Sequence, residues 1–287
     1  MVKFQGDIKG NTVCSLGVLG RANSLKKDTH GKYRLYFQDG VAEPSALIGA
    51  FLKADVLEGK GRDSIKVLTV DGKRIACRKY IHGGLLRGLT KDYFFSGQRA
   101  IKELAIINYL NNAGFSIVKP YCAIIETYGA MKIPYLLTLF EEDAMSLLDF
   151  FSKAESGTRS KIIKAIAGYM YDLERLGVYH PDLHLNNILI THNNEMRFLD
   201  FDKACTKSIT KKDMERMFWR LNRYVEKMAR KGYPPVSIKE KILFLRSYEE
   251  LSGYDILPLM RKRLKAMRFF DKTGWFLDSL LYRSKDK

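Results

Sequence analysis

Short apolar runs with strand-like patterning recur through the first half of the chain, between polar and Gly-rich stretches. Tyr33-Arg34-Leu35-Tyr36-Phe37 is an isolated strand-like piece of this kind. The signal becomes denser between Ala54 and Tyr80. There Ala54-Asp55-Val56-Leu57, Ile65 to Val70 and Arg74 to Tyr80 predict three antiparallel strands. Asp71-Gly72 supplies the hairpin turn between the last two, and Gly59-Lys60-Gly61 lies in the first turn. A glycine-rich basic loop follows from Gly83 to Leu89. The period then changes to 3.6: Ile101, Leu104, Ala105, Ile107 and Leu110 predict a helix from Gly97 to Ala113, which Gly114 terminates. Ile124 to Tyr128 and Tyr135 to Phe140 read as two further strands. The acidic group Glu141-Glu142-Asp143 marks a turn and a domain boundary.

Beyond it the helical period prevails. Helices are predicted over Ser146 to Lys153 and Arg159 to Leu176, the latter stopped by Gly177. After two short apolar strands come Asp213 to Lys231, Ile238 to Leu251 and Pro258 to Phe270, with Pro234-Pro235 as a break. No internal repeat interrupts this order. The expected fold class is α+β with two lobes. The expected division is an N-terminal segment, 1–45, without a motif; a β-rich lobe with one helix, 46–141; and a mainly helical lobe, 142–287.

Composition narrows the partners more than the fold. Apolar residues make up 46% and charged residues 28% of the 287, which excludes a disordered chain. Lys and Arg number 49 against 32 Asp and Glu, a net charge of +17 that favours a polyanionic partner. Cys14, Cys77, Cys122 and Cys205 are far apart and form no CxxC, so zinc spacing is absent. A disulfide framework is not expected at this size, and a reducing compartment is. The first residues lack a signal-peptide core, and no run reaches the ~18 apolar residues of a membrane span. A cytoplasmic protein, soluble or peripheral, is expected.

The chemistry concentrates in His180-Pro181-Asp182-Leu183-His184-Leu185-Asn186-Asn187-Ile188-Leu189-Ile190 and in Phe198-Leu199-Asp200-Phe201-Asp202. Carboxylates at the ends of apolar strands are costly to bury and need cationic or metal partners. An Asp, an Asn five residues on, a strand, a turn at His192 to Glu195, and a second strand ending in Asp-Phe-Asp predict a protein-kinase-like phosphotransferase. In such a site Asp182 orients the acceptor hydroxyl, while Asn187 and Asp200 hold Mg²⁺ against the phosphates of ATP. Pro181 stands where protein kinases have Arg, so control by activation-loop phosphate is not expected. Asp202 replaces a glycine; metal binding and capping of the next turn are both open to it. Read as mere turn residues, Asp182 and Asn187 would leave the strand-borne acids unexplained. The His-Pro-Asp loop of J-domain cochaperones joins two helices, and the strand Ile188 to Ile190 excludes it.

The cation for the phosphates belongs on the third strand. In Ile75-Ala76-Cys77-Arg78 it is Arg78; Lys79 is the alternative, although alternation turns it to the other face. The helix partner is Glu103, the lone acid between Gly97 and Gly114, with an exposed surface charge as the plain alternative. Gly59 and Gly61 resemble a shortened nucleotide-covering loop, a weak signal by itself. Thr138 to Glu141 falls where an interlobe linker would meet adenine.

Gly177 to Leu189 and Phe198 to Ala204 are similar to the catalytic segments of 3-deoxy-D-manno-octulosonic acid (Kdo) kinases. Arg78-Lys79-Tyr80-Ile81-His82-Gly83-Gly84-Leu85 resembles that family's R-x-Y-x-x-G-G-L, and Trp219 to Arg223 its Arg-rich helix. The resemblance covers roughly residues 55–230. It implies transfer of the ATP γ-phosphate to a sugar hydroxyl, the 4-hydroxyl of Kdo, on a lipid A precursor at the cytoplasmic face of the inner membrane. It implies Arg78 and Glu103 for the phosphates and Asp182 as the catalytic group; the loop itself leaves His184 as a candidate acceptor contact beside a structural His180. The basic amphipathic run Leu259 to Phe270 suits an anionic membrane surface or a solvated packed helix. The alternatives are a core heptose kinase and a pseudokinase serving as an interaction module. No nucleic-acid motif accompanies the charge.

Overall fold

The computed structural model describes residues 25–57, 65–82 and 92–264. The expectations placed on Gly59 and Gly61, on the basic loop from Gly83, and on the chain after residue 264 lie outside these residues. The described chain divides into two compact units, one comprising the chain up to residue 153 with 175–208, the other 154–174 with residues from 209 onward.

The first unit is built on a seven-stranded antiparallel sheet. Its strands are Lys26–His30 (β1), Tyr33–Phe37 (β2), Asp55–Leu57 (β3), Ile65–Val70 (β4), Lys73–Lys79 (β5), Pro120–Tyr128 (β6) and Met131–Leu139 (β7). Their spatial order is β1-β2-β6-β7-β5-β4-β3. Two of these strands precede residue 46. Helix α1, Pro44–Lys53, starts on a proline suited to the first helical turn and buries Leu47, Ile48 and Phe51. They pack with Leu35, Ile75, Cys77, Cys122, Ile124 and Leu137 as one core. The Phe51 ring meets Tyr135 edge-on at a centroid distance of 4.9 Å.

Helix α2, Gln98–Asn112, follows the β4–β5 hairpin. Its start lies so close to β6 that a Cβ on Gly97 would stand 2.7 Å from Ile125 Cδ1. Glycine there is a matter of space. After α2 the backbone runs beside the segment that leads to Asp200. Ile117 forms a parallel bridge with Phe198, Val118 N donates to Phe198 O at 3.0 Å, and Phe198 N to Ser116 O at 3.0 Å. Met145–Ser146 (β8), Ile188–Ile190 (β10) and Met196–Phe198 (β11) make a small sheet, and Val178–Tyr179 (β9) pairs with Cys205–Thr206 (β12). Gly177 opens this region at φ +65°, and a Cβ there would lie 2.9 Å from the Lys207 carbonyl oxygen. Both the conformation and the close backbone select glycine.

In the second unit lie most of the helix Ser156–Arg175 and the helices Lys211–Ala229 and Ile238–Ser252; residues 257–264 are also helical. Thr210 with Asp213, and Ser237 with Glu240, form reciprocal N-terminal caps. Arg159 grips the Glu240 carboxylate at 2.7 and 3.1 Å, and Tyr248 OH donates to Glu174 at 2.6 Å. Among the described residues no helix is long and apolar enough to cross a membrane. The chain is α+β, with a β-rich first part that carries two inserted helices, α1 beside the one expected, and a mainly helical remainder.

Candidate active site

Alternation along β5 decides where its cation points. Ile75 and Cys77 are buried in the core shared with α1. Arg78 therefore leaves the opposite face, where α2 presents Glu103. Arg78 Nη2 donates to Glu103 Oε2 at 2.5 Å, and Nη1 to Asp200 Oδ1 at 2.7 Å. One guanidinium thus bridges a helix carboxylate and a loop carboxylate 97 residues apart in sequence (Glu103 to Asp200). The other oxygen, Glu103 Oε1, accepts from the Phe201 backbone N–H at 2.9 Å, and the Tyr80 hydroxyl donates to Oε2. Lys79, on the other face, pairs with Asp92.

Glu103 is only 1% exposed. Burial pushes its carboxyl up to about 7, and the adjacent Arg78 opposes the rise. Burial disfavours the Arg78 cation, but Glu103, Tyr80 and Asp200 outweigh it and hold the group well above the ordinary guanidinium range. Asp200 moves the other way. Burial raises it, yet Arg78 prevails and keeps it below the usual carboxylate range, ionised at neutral pH. Its backbone sits at φ +63°, a conformation a residue with a Cβ adopts at an energetic disadvantage. That turn points the Asp200 carboxylate at Arg78 and sends the next peptide N–H back to Glu103.

Asp182 lies beside this cluster. Arg78, Lys79, Tyr80, Arg99, Asp182, Asp200, Asp202 and Lys203 line one cavity of about 190 Å³. Lys203 Nζ meets Asp182 Oδ2 at 2.8 Å. Asn187 is buried, its amide nitrogen donating to the Asp182 carbonyl at 3.4 Å while its own carbonyl accepts from Leu199 N at 2.9 Å. It thereby ties the segment around Asp182 to the one that leads to Asp200. His180 is fully buried, 4.7 Å from the Phe201 ring between centroids. Burial drives its imidazole down to about 4 against the pull of Asp200 and Asp182, so it is neutral at physiological pH.

Asp202, for which the sequence leaves metal binding or turn capping open, gives both carboxylate oxygens to Arg99. Arg99 lies one turn before Glu103 on α2, on the same face. Sequence reasoning assigned no role to Arg99, to Tyr80 or to Lys203. Spacing offered a hint for the first two, since Arg99 is four residues from Glu103 and Tyr80 two from Arg78.

Among the described residues no group of three or more His, Cys, Asp and Glu is placed to hold a metal. Mg²⁺ is usually held by one or two carboxylates plus substrate phosphates, octahedrally and with oxygen ligands. An ionised Asp200 and a neighbouring amide oxygen from Asn187 fit that donor set.

The model of the lipopolysaccharide kinase (Kdo/WaaP) family matches residues 52–248. The 3-deoxy-D-manno-octulosonic acid kinase of Vibrio cholerae serotype O1 is 28% identical over 148 residues, 50% of this chain and 62% of that protein. The enzyme of the same name from Vibrio parahaemolyticus serotype O3:K6 is 31% identical over 150 residues, 50% and 61% of the two chains. That of Xylella fastidiosa strain 9a5c is 23% identical over 180 residues, 61% and 71%. The matched stretch spans about three fifths of the length of the Vibrio relatives. Among solved structures, the Cydia pomonella granulovirus kinase PK-1 has a TM-score of 0.42 at 15% identity, over 74% of this chain and 73% of that one. A likeness at that level carries no argument by itself.

Proposed function

The chain belongs to the lipopolysaccharide kinase (Kdo/WaaP) family, and on that premise we propose that it transfers the γ-phosphoryl group of ATP to the 4-hydroxyl of Kdo in a lipid A-linked inner-core precursor. The observation that carries the reading is the Arg78 bridge between Glu103 and Asp200, facing Asp182 across one cavity.

In the proposed reaction Asp182 orients the acceptor hydroxyl and takes its proton as the new P–O bond forms. The bond from the γ-phosphorus to the bridging oxygen breaks, and ADP leaves with the electron pair. Arg78, fixed by Glu103, contacts the phosphates. Asp200 and Asn187 are the residues that would hold Mg²⁺, which supplies charge neutralisation between the phosphate oxygens. Asp202 is committed to Arg99 and is given no metal role. Gly59 and Gly61 are assigned to the phosphate cover on sequence grounds alone. Catalysis by such a site is mostly positioning and electrostatic stabilisation, so a few fixed charges suffice.

The net charge of +17 supports work at an anionic, cytoplasmic membrane surface, where each well-placed basic residue contributes ~1 kcal/mol. The test is incubation with labelled ATP and Mg²⁺, using Kdo-lipid A precursor in one arm and a heptosylated core in the other. Label on Kdo that disappears in Asp182→Ala supports the assignment. Label on heptose alone moves the acceptor, and label on neither refutes a sugar kinase.

A further inference from the structure

Four cations line the cavity, and three are committed to carboxylates away from Asp182. Arg78 holds Glu103 and Asp200, Arg99 holds Asp202, and Lys79 holds Asp92. Lys203 differs. Its Nζ lies 2.8 Å from Asp182 Oδ2, and its side chain is 61% exposed against 32% for Asp182. An anion brought in beside Asp182 would compete with its carboxylate for this exposed ammonium.

We propose that Lys203 is a specificity-determining residue that binds the carboxylate of the sugar-acid acceptor. This deepens, and rests on, the Kdo kinase reading. Kdo is an octulosonic acid, and its carboxylate hangs from the ring carbon two positions from the one bearing the 4-hydroxyl. That separation is short enough for a lysine paired with Asp182 to reach the carboxylate of an acceptor whose hydroxyl meets Asp182. A neutral heptose offers no such anion. Lys203 is also the more exposed member of the pair. Its flexible stem lets the ammonium move from one carboxylate to another with little rearrangement.

The experiment compares wild type, Lys203→Met and Lys203→Arg on Kdo-lipid A precursor and on its derivative with the carboxylate converted to a carboxamide. A charge-assisted hydrogen bond predicts that wild type prefers the acid by about tenfold or more in kcat/KM, mostly through KM. Lys203→Met removes the preference, and Lys203→Arg keeps it. Each ratio is internal to one protein, so a general loss of activity or stability cancels. An undiminished preference in Lys203→Met overturns the proposal. So does an equal fall in kcat on both acceptors with the KM preference retained, which would put the lysine on the transferred phosphoryl group. Wild type that phosphorylates both acceptors equally well also overturns it and leaves the Kdo reading standing. Wild type inactive on Kdo removes both.

Discussion

Replacing Glu103 by glutamine keeps the shape of the side chain and removes its charge. Folded Glu103 ionises at about 7 rather than about 4.5. The folded state therefore holds a proton that the unfolded chain has released throughout that interval. The sign follows: this group's contribution is complete below about 4.5 and is lost as pH rises through 7. At 1.36 kcal/mol per pKa unit, the loss between pH 5 and pH 8 is about 2–3 kcal/mol. Glutamine has no proton to lose, so the stability of Glu103→Gln relative to wild type should improve by that amount over the same interval. His180, neutral when folded and pushed down to about 4, has the opposite slope, but it is present in both proteins and cancels. Arg78 stays charged throughout and also drops out of the difference. Urea denaturation of both proteins at pH 5 and pH 8 measures it directly. Phosphoryl transfer should fall at least about tenfold in the same variant, because Arg78 loses the anion that aims it. Stability curves that run parallel from pH 5 to pH 8 would show that Glu103 ionises without penalty, and the argument from its burial would be wrong.

Asp182→Ala should lower transfer by about a hundredfold or more with nucleotide affinity little changed, measured by single-turnover assay and nucleotide titration. Arg99→Ala and Asp202→Ala should each reduce turnover several-fold, and the double variant should be no worse than the poorer single one, because each removes the same contact. Gly97→Ala should destabilise the fold by about 1–3 kcal/mol in denaturant titration, since its Cβ would press on Ile125; Ile125→Ala in the same chain should recover part of the loss. A Gly97→Ala protein as stable as wild type would mean that α2 can move away from β6 freely.

What the sequence disclosed followed from short-range periodicity. Ile75 and Cys77 alternate with Arg78, so the strand and the face of the arginine are both readable from five residues. The helix bearing Glu103 has apolar positions at helical spacing and a glycine on either side. β1 shows the reverse case: Lys-Lys-Asp-Thr-His is exposed along its whole length and has no apolar face to betray it. Only backbone pairing with β2 makes it a strand. The helix expected from Asp213 begins earlier because Thr210 caps it, with Asp213 as the reciprocal partner rather than the first residue. Contacts such as Arg78 to Asp200 or Arg99 to Asp202 join residues more than 100 positions apart, and no local pattern encodes them. The exposure of Glu103 likewise depended on what covers the helix, which spacing alone leaves open.

The paired backbone from Ser116 and Val118 to Phe198 fastens the strand that leads to Asp200 onto the segment leaving α2. Arg78, Glu103 and Asp200 should therefore belong to one cooperative folding unit rather than to separate pieces brought together by ligand. Amide hydrogens of Phe198 and Val118 should exchange with solvent as slowly as those in the middle of the large sheet. In the proposed kinase this charge network is assembled before nucleotide arrives. Its activity on warming should follow the melting of that unit and should show no earlier loss from a hinge coming loose.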